Sequence, residues 1–193
     1  VRYGDFDEPE SLPDAFEEAD QMLLISTLNV GRRAEQHQRA IEAAEQVGVE
    51  RIVYTSSTGL DPDNPAIITD DHIETEEILK ESDLSYTILR HSLYAETPAT
   101  QIGPRALRSG QWTTTAAEGE VAFIAKSDCA DVAATVLTSS GHGNKTYEIT
   151  GPELISFRTC AEYAAEVGGA PVDYVVVNDE EMDEMLAELG VPE

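Results

Sequence analysis

Three short apolar runs recur at a spacing that points to a parallel sheet. Residues 22–26 (Met-Leu-Leu-Ile-Ser), 51–56 (Arg-Ile-Val-Tyr-Thr-Ser) and 85–90 (Ser-Tyr-Thr-Ile-Leu-Arg) lack the strict alternation of a half-exposed strand. The first reads as a strand buried on both faces, the second as another buried strand and the third as a strand. Residues 33–47 between the first two are helix formers, with Ala34, Ile41, Ala44 and Val47 near one face and Gly48 as a stop. A loop rich in Pro, Asp and Asn covers residues 57–65. A helix follows, capped by Thr69 or Asp70 and reaching Ser82. Strand, helix, strand, helix, strand implies right-handed crossovers and an α/β fold with a parallel sheet.

Beyond Arg90 the pattern loosens. The spacing predicts a short strand over 121–124, a helix over 128–139, a strand over 145–150, a helix over 157–167, a strand over 172–177 and an acidic helix over 179–189. The polar, Gly-bearing stretch around Trp112 reads as irregular. Residues 1–193 are expected to form a single domain, in which residues 92–193 lay a small α/β cap on the carboxyl ends of the first strands. With 41% apolar residues, the chain has enough material for such a core.

Charge narrows the partners. Twelve Lys and Arg face 38 Asp and Glu, a net −26, and the only lysines are Lys80, Lys126 and Lys145. Such a surface repels nucleic acid and anionic membranes. It also repels itself unless salt screens it, which predicts adaptation to a salt-rich, halophilic cytoplasm. No run approaches the ~20 apolar residues of a membrane span. Cys129 and Cys160 read as small buried hydrophobes of a reducing compartment, and the histidines lack metal-ligand spacing. The chain opens inside a β-type run with neither Met nor a signal-peptide pattern, which predicts an internal piece of a longer cytoplasmic protein.

In an open parallel sheet, ligands bind beyond the carboxyl ends of the strands. Here those ends carry Ser26-Thr27-Leu28, Thr55-Ser56-Ser57 and Arg90-His91-Ser92. Small hydroxyls there can bond a ribose or an amide, or simply cap turns. His72 and Glu76 share a helix face, either as an acid–base pair or as part of a surface helix. Arg90 could hold a phosphate or a structural carboxylate, and Tyr94 could stack on a ring or simply pack. Arg32 and Arg33 open a helix, where anions are favoured, although an ion pair is the simpler use for at least one of them. No G-x-G-x-x-G loop occurs in the chain.

Several stretches resemble the extended and atypical short-chain dehydrogenases. Val49-Glu50-Arg51-Ile52-Val53-Tyr54-Thr55-Ser56-Ser57 is similar to their fifth strand, and Leu23-Leu24-Ile25-Ser26 to their fourth. Asp5-Phe6-Asp7 with Pro9-Glu10-Ser11-Leu12 resembles the turn after the third. Asp71-His72-Ile73-Glu74-Thr75-Glu76 and Tyr86-Thr87-Ile88-Leu89-Arg90, with Tyr94 and Glu96, resemble the NmrA-like branch, and within it the type 2 NAD(P)H:quinone oxidoreductases.

The resemblance implies a Rossmann-like doubly wound sheet lacking its first βαβ unit. About 45 to 50 residues would precede Val1 and carry the pyrophosphate-gripping loop. It implies NADP or NAD as cofactor, held weakly or not at all by these 193 residues alone. Asp5, Phe6, Ser26, Thr27, Leu28 and Arg33 would lie beside the adenosine half, and His91, Ser92, Leu93, Tyr94, Ala95 and Glu96 beside the nicotinamide. The catalytic set would be Ser56 as hydrogen-bond donor, His72 as proton source, and His91 and Tyr94 for orientation. His72 and Glu76 stand where the Tyr-x-x-x-Lys pair is usual, so alcohol oxidation by that pair is not expected. His91 stands where the quinone reductases carry Asn. The implied activity is reduction of a quinone or similar small carbonyl compound, and a homodimer is allowed. The alternative is an NmrA-like sensor that binds the nucleotide without turnover.

Overall fold

A computed structural model describes residues 1–64, 66 and 68–188. In chain order the elements are α1 (Leu12–Phe16), β1 (Gln21–Ile25), α2 (Arg33–Val47), β2 (Arg51–Ser57), α3 (Ile68–Glu81), β3 (Ser85–His91), α4 (Gly103–Ser109), β4 (Gln111–Thr114), β5 (Glu120–Val121), α5 (Lys126–Thr138), β6 (Lys145–Ile149), β7 (Ile155–Ser156), α6 (Phe157–Gly168), β8 (Asp173–Val176) and α7 (Asp179–Glu188). A 3-10 turn at Pro9–Ser11 precedes α1, and a π-helical turn at Thr97–Ile102 precedes α4. The described residues form two compact units: those up to His91 with Ser127–Ile149, and Ser92–Lys126 with those from Thr150 onward.

The first unit holds a four-stranded parallel sheet in the order β1-β2-β3-β6. Successive residues of a strand point to opposite faces. Accordingly Leu24, Ile52, Tyr54 and Ile88 pack on Ala40, Ile41 and Ala44 of α2 and Leu79 of α3. Val53 and Leu89 pack on the other face against Ala133 and Val136 of α5. Helices on both faces explain why the strands read as unbroken apolar runs. Gly48, at φ 84°, ends α2 in the left-handed region, where a side chain would be strained. The predicted strand over 145–150 is β6, which returns to this sheet beside β3.

In the second unit, β4 pairs parallel with β8, and β5 antiparallel with β7. Trp112, 1% exposed, sits with Ala106 of α4 and Ala161 of α6. The stretch read as irregular thus contains a π-helical turn, a helix and a strand. Pro98 and Pro104 suggest breaks, yet each falls in the first turn of its helix, where no backbone donor is needed.

Other expectations shift. α3 begins at Ile68, so Thr69 and Asp70 lie within its first turn and do not cap it. The strand expected over 121–124 stops at Val121, because Ile124 pairs instead with Tyr94. Cys129 is buried, but Cys160 is only half-buried. Pro65 of the predicted loop and Leu189 of the predicted acidic helix lie outside the described residues.

Candidate active site

The register of the first unit brings its strand ends to one edge. Ile25 lies opposite Thr55, Ser57 opposite His91, and His91 opposite Ile149. The backbone N–H of Ser26 donates to Thr55 Oγ1 at 2.9 Å, joining the first two tips directly. This edge follows from parallel pairing alone.

The loop after β1 is pinned to the start of α2. Thr27 Oγ1 donates to Gln36 Oε1 at 2.9 Å, and the Thr27 N–H donates to His37 Nε2 at 3.2 Å. Arg33 Nε donates to the Thr27 carbonyl at 2.7 Å. Gly31 N–H donates to Asp71 Oδ2 at 2.8 Å, which ties the loop to α3. Ser26 and Thr27 are half-buried, while Leu28 is 93% exposed. In the turn before α1, Asp5 Oδ1 accepts the Asp7 N–H at 2.8 Å and Phe6 packs on the apolar core. Asp7 receives Arg32 at 2.9 Å and Gln36 at 3.1 Å, with Arg39 at 3.7 Å.

His72 and Glu76 do not lie on a surface helix. They are 5% and 2% exposed, on the face of α3 turned to the sheet. Arg33 Nη1 lies 3.1 Å from His72 Nε2 and can only donate, so that nitrogen accepts. Burial, then the Arg33 charge, pushes the His72 pKa down to about 4, so the ring is neutral at pH 7. Its one proton then sits on Nδ1, 2.7 Å from the Tyr54 hydroxyl. The same logic fixes His37, pushed to about 3 by burial and Arg33. Its Nε2 accepts from Thr27, so its Nδ1–H donates to Thr75 Oγ1 at 3.0 Å, and Thr75 donates to the Asp71 carbonyl at 2.7 Å. The expected role of His72 as proton source does not fit this setting, since both ring nitrogens face interior partners. Arg33, expected at the cofactor, is likewise 5% exposed and directed inward.

Glu76 gathers four donors. Oε1 accepts Ser56 Oγ at 2.8 Å and Arg90 Nε at 2.8 Å. Oε2 accepts Arg90 Nη2 at 2.7 Å and Lys80 Nζ at 3.0 Å. Burial alone would raise this carboxyl, but the hydrogen bonds from Arg90, Ser56 and Lys80 outweigh it and hold its pKa below the usual range. Arg90 thus serves a structural carboxylate, with Glu148 Oε1 as a further partner at 3.2 Å. The Ser56 proton points at Glu76, contrary to the donor role expected of Ser56, which leaves its lone pairs for an incoming group.

His91 ends β3 buried, and burial lowers its pKa. Its carbonyl accepts the Thr58 N–H at 3.0 Å. Ser92, Leu93, Tyr94, Ala95 and Glu96 belong to the second unit. There Leu93 O accepts Ile124 N–H at 3.0 Å, and Ile124 O accepts Ala95 N–H at 2.9 Å. Lys126 Nζ stands 5.2 Å from the Tyr94 ring centroid, and Glu96 Oε1 accepts the Lys126 N–H at 3.0 Å. Ser92 is buried and Leu93 exposed.

Sequence reasoning missed His37, Tyr54, Asp71 and Thr75. The available signal was polar side chains four apart, Arg33 with His37 and Asp71 with Thr75, on helix faces that also carry core residues. Among the described residues no cluster of His, Cys, Asp or Glu could hold a metal ion, and no helix is long and apolar enough to cross a membrane.

The strand-tip residues suit the uncharged parts of a dinucleotide. Ser26 and Ser56 offer small polar groups, and Leu28 an apolar face. The nearby cations are otherwise engaged: Arg32 and Arg39 on Asp7, Arg33 in the interior. These groups suit ribose and ring contacts better than pyrophosphate.

The profile of the NAD(P)H-binding family matches residues 1–140. Quinone oxidoreductase 2 of Escherichia coli (strain K12) is 34% identical over 193 residues, covering 100% of this chain and 67% of that protein. The crystal structure of an NADPH-dependent quinone oxidoreductase from Escherichia coli complexed with NADPH superposes with a TM-score of 0.91 at 33% identity, covering 100% of this chain and 67% of that one. Triphenylmethane reductase of Citrobacter sp., complexed with NADP(H), gives a TM-score of 0.85 at 34% identity, covering 100% and 68%. The chain thus spans about two thirds of the length of these relatives. With the profile matched over most of its length, the chain belongs to the NAD(P)H-binding, NmrA-like family.

Proposed function

We propose that the complete protein is an NAD(P)H-dependent oxidoreductase that passes hydride from the nicotinamide directly to a quinone or similar small carbonyl compound. The bound dinucleotide supplies the hydride. The strand tips of this chain supply placement. Ser26, Thr27 and Leu28, with Asp5 and Phe6, border the adenosine half. His91, Ser92, Leu93, Tyr94, Ala95 and Glu96 border the nicotinamide. Ser56 accepts a hydrogen bond, and His72 with Arg33 holds Tyr54 and the loop after β1 in place.

The observation that carries this reading is Glu76. Where an alcohol-oxidising relative would need a cation beside a tyrosine, the chain buries a carboxylate saturated by Arg90, Lys80 and Ser56. The position of His72 holds a neutral, enclosed ring. Such a site suits hydride transfer to an acceptor whose reduced oxyanion takes its proton from solvent, with orientation as the main contribution of the protein.

The test is NADPH oxidation by the full-length gene product with a panel of quinones. Turnover is expected. Tight NADPH binding with no oxidation by any quinone would overturn the reductase reading in favour of a nucleotide sensor.

A further inference from the structure

Within the second unit lies a cavity of about 430 Å³, in the size range of small-molecule sites. Its position follows from small residues. Gly168 approaches Leu107 so closely that an added Cβ would come within 2.3 Å of it, which brings α6 onto α4 at one end. At Gly103 an added Cβ would lie 3.5 Å from Ala164. Between these approaches, α6 presents Cys160, Tyr163, Ala164 and Val167 at helical spacing, and the space they bound stays open.

Three features point to a ligand. First, charged residues make up 26% of the chain, yet none of the lining residues is Asp, Glu, Lys, Arg or His. An uncharged hollow in so acidic a protein selects for a neutral apolar molecule. Second, one wall is the π-helical turn through Pro98 and Ala99, a rare element that is frequent at functional sites. Third, the cavity continues from the segment assigned above to the nicotinamide. Ala95 lines it, and the bonds of Leu93 and Ala95 hold Ile124 beside Tyr94, with Phe123, another wall, the residue before it. Phe123 is itself fixed edge-on to Phe157 at 5.5 Å, and by Gly151, where a side chain would strike the Phe123 carbonyl.

We propose that this cavity seats the apolar tail of the substrate, so that alkyl-substituted quinones are preferred over bare rings. This rests on the reductase reading. The mouth is marked by Tyr163, more than half exposed, and Val167, 90% exposed. A tail can therefore enter without unfolding the unit. Each methylene it buries should tighten binding about fourfold.

The experiment uses the full-length gene product and its Ala99→Trp and Val167→Lys variants, both changed at exposed positions. The neutral probe N-phenyl-1-naphthylamine is titrated by fluorescence, then displaced with 2-decyl-1,4-benzoquinone or 1,4-benzoquinone. One probe per chain is expected. The decyl compound should displace it at a concentration at least tenfold lower than the bare ring, and each variant should erode that advantage at least tenfold with NADPH affinity unchanged. Absence of probe binding, or variants that bind probe and decylquinone as the parent does, would overturn the assignment. Turnover separates the two ideas. Tail-dependent binding without NADPH oxidation defeats the reductase reading alone. Quinone reduction with a KM indifferent to tail length defeats the tail site alone.

Discussion

Replacing Glu76 by Gln tests the central electrostatic arrangement. The side chain keeps its shape, but the change removes the charge that receives two Arg90 bonds, the Ser56 hydroxyl and Lys80. An amide has one acceptor oxygen, so at least one donor then faces an NH₂ group. Breaking a buried pair by removing one partner costs roughly 3–5 kcal/mol, against about 0–1 kcal/mol for an exposed pair. Arg90 keeps Glu148 and some exposure, which sets the expectation near the lower figure, about 3 kcal/mol. For a chain of 193 residues that is a fall in Tm of roughly 6–12 °C, and less for a longer one. The assay is urea and thermal unfolding of the full-length gene product followed by circular dichroism. pH supplies the sign. Because the folded Glu76 pKa lies below its unfolded value, its contribution is complete above about pH 4.5 and is lost as pH falls through the folded value. The gap between parent and variant should therefore be widest near neutrality and close in acid. A loss under about 1 kcal/mol, or a gap that persists in acid, would refute the argument.

Two further outcomes are expected. His37 and His72 are held neutral, with pKa values lowered to about 3 and about 4, so the unfolded chain binds more protons below about pH 6.5. Stability should decline as pH falls from there, and His72→Gln should flatten that slope; an unchanged slope in denaturant titrations from pH 7 to 4.5 would count against the buried neutral ring. With a net charge of −26, midpoints of thermal unfolding should rise between about 0.1 and 3 M KCl as the Debye length contracts, and a flat series would remove the proposed salt adaptation.

The chain encodes its sheet plainly. Unbroken apolar runs, helix formers and Gly48 suffice to place β1, α2, β2, α3 and β3 within three residues, because burial on both faces is written locally. The parallel pairing, and hence the shared edge at Ser26, Ser56 and His91, follows from spacing alone. α4 is not legible in the sequence, because it opens on Gly103 and Pro104, two weak helix formers that only a first turn accommodates.

The site divides along the same line. Sequence named Ser56, His72, Arg33 and Arg90 but could not assign their partners. Whether Arg90 meets a phosphate or a carboxylate, and whether His72 faces solvent or Tyr54, depends on residues 14 to 39 positions apart meeting across β2, β3, α2 and α3. Local propensity fixes which face of an element is apolar. Only packing decides which polar group on that face finds another, and so which protons are already held before any ligand arrives.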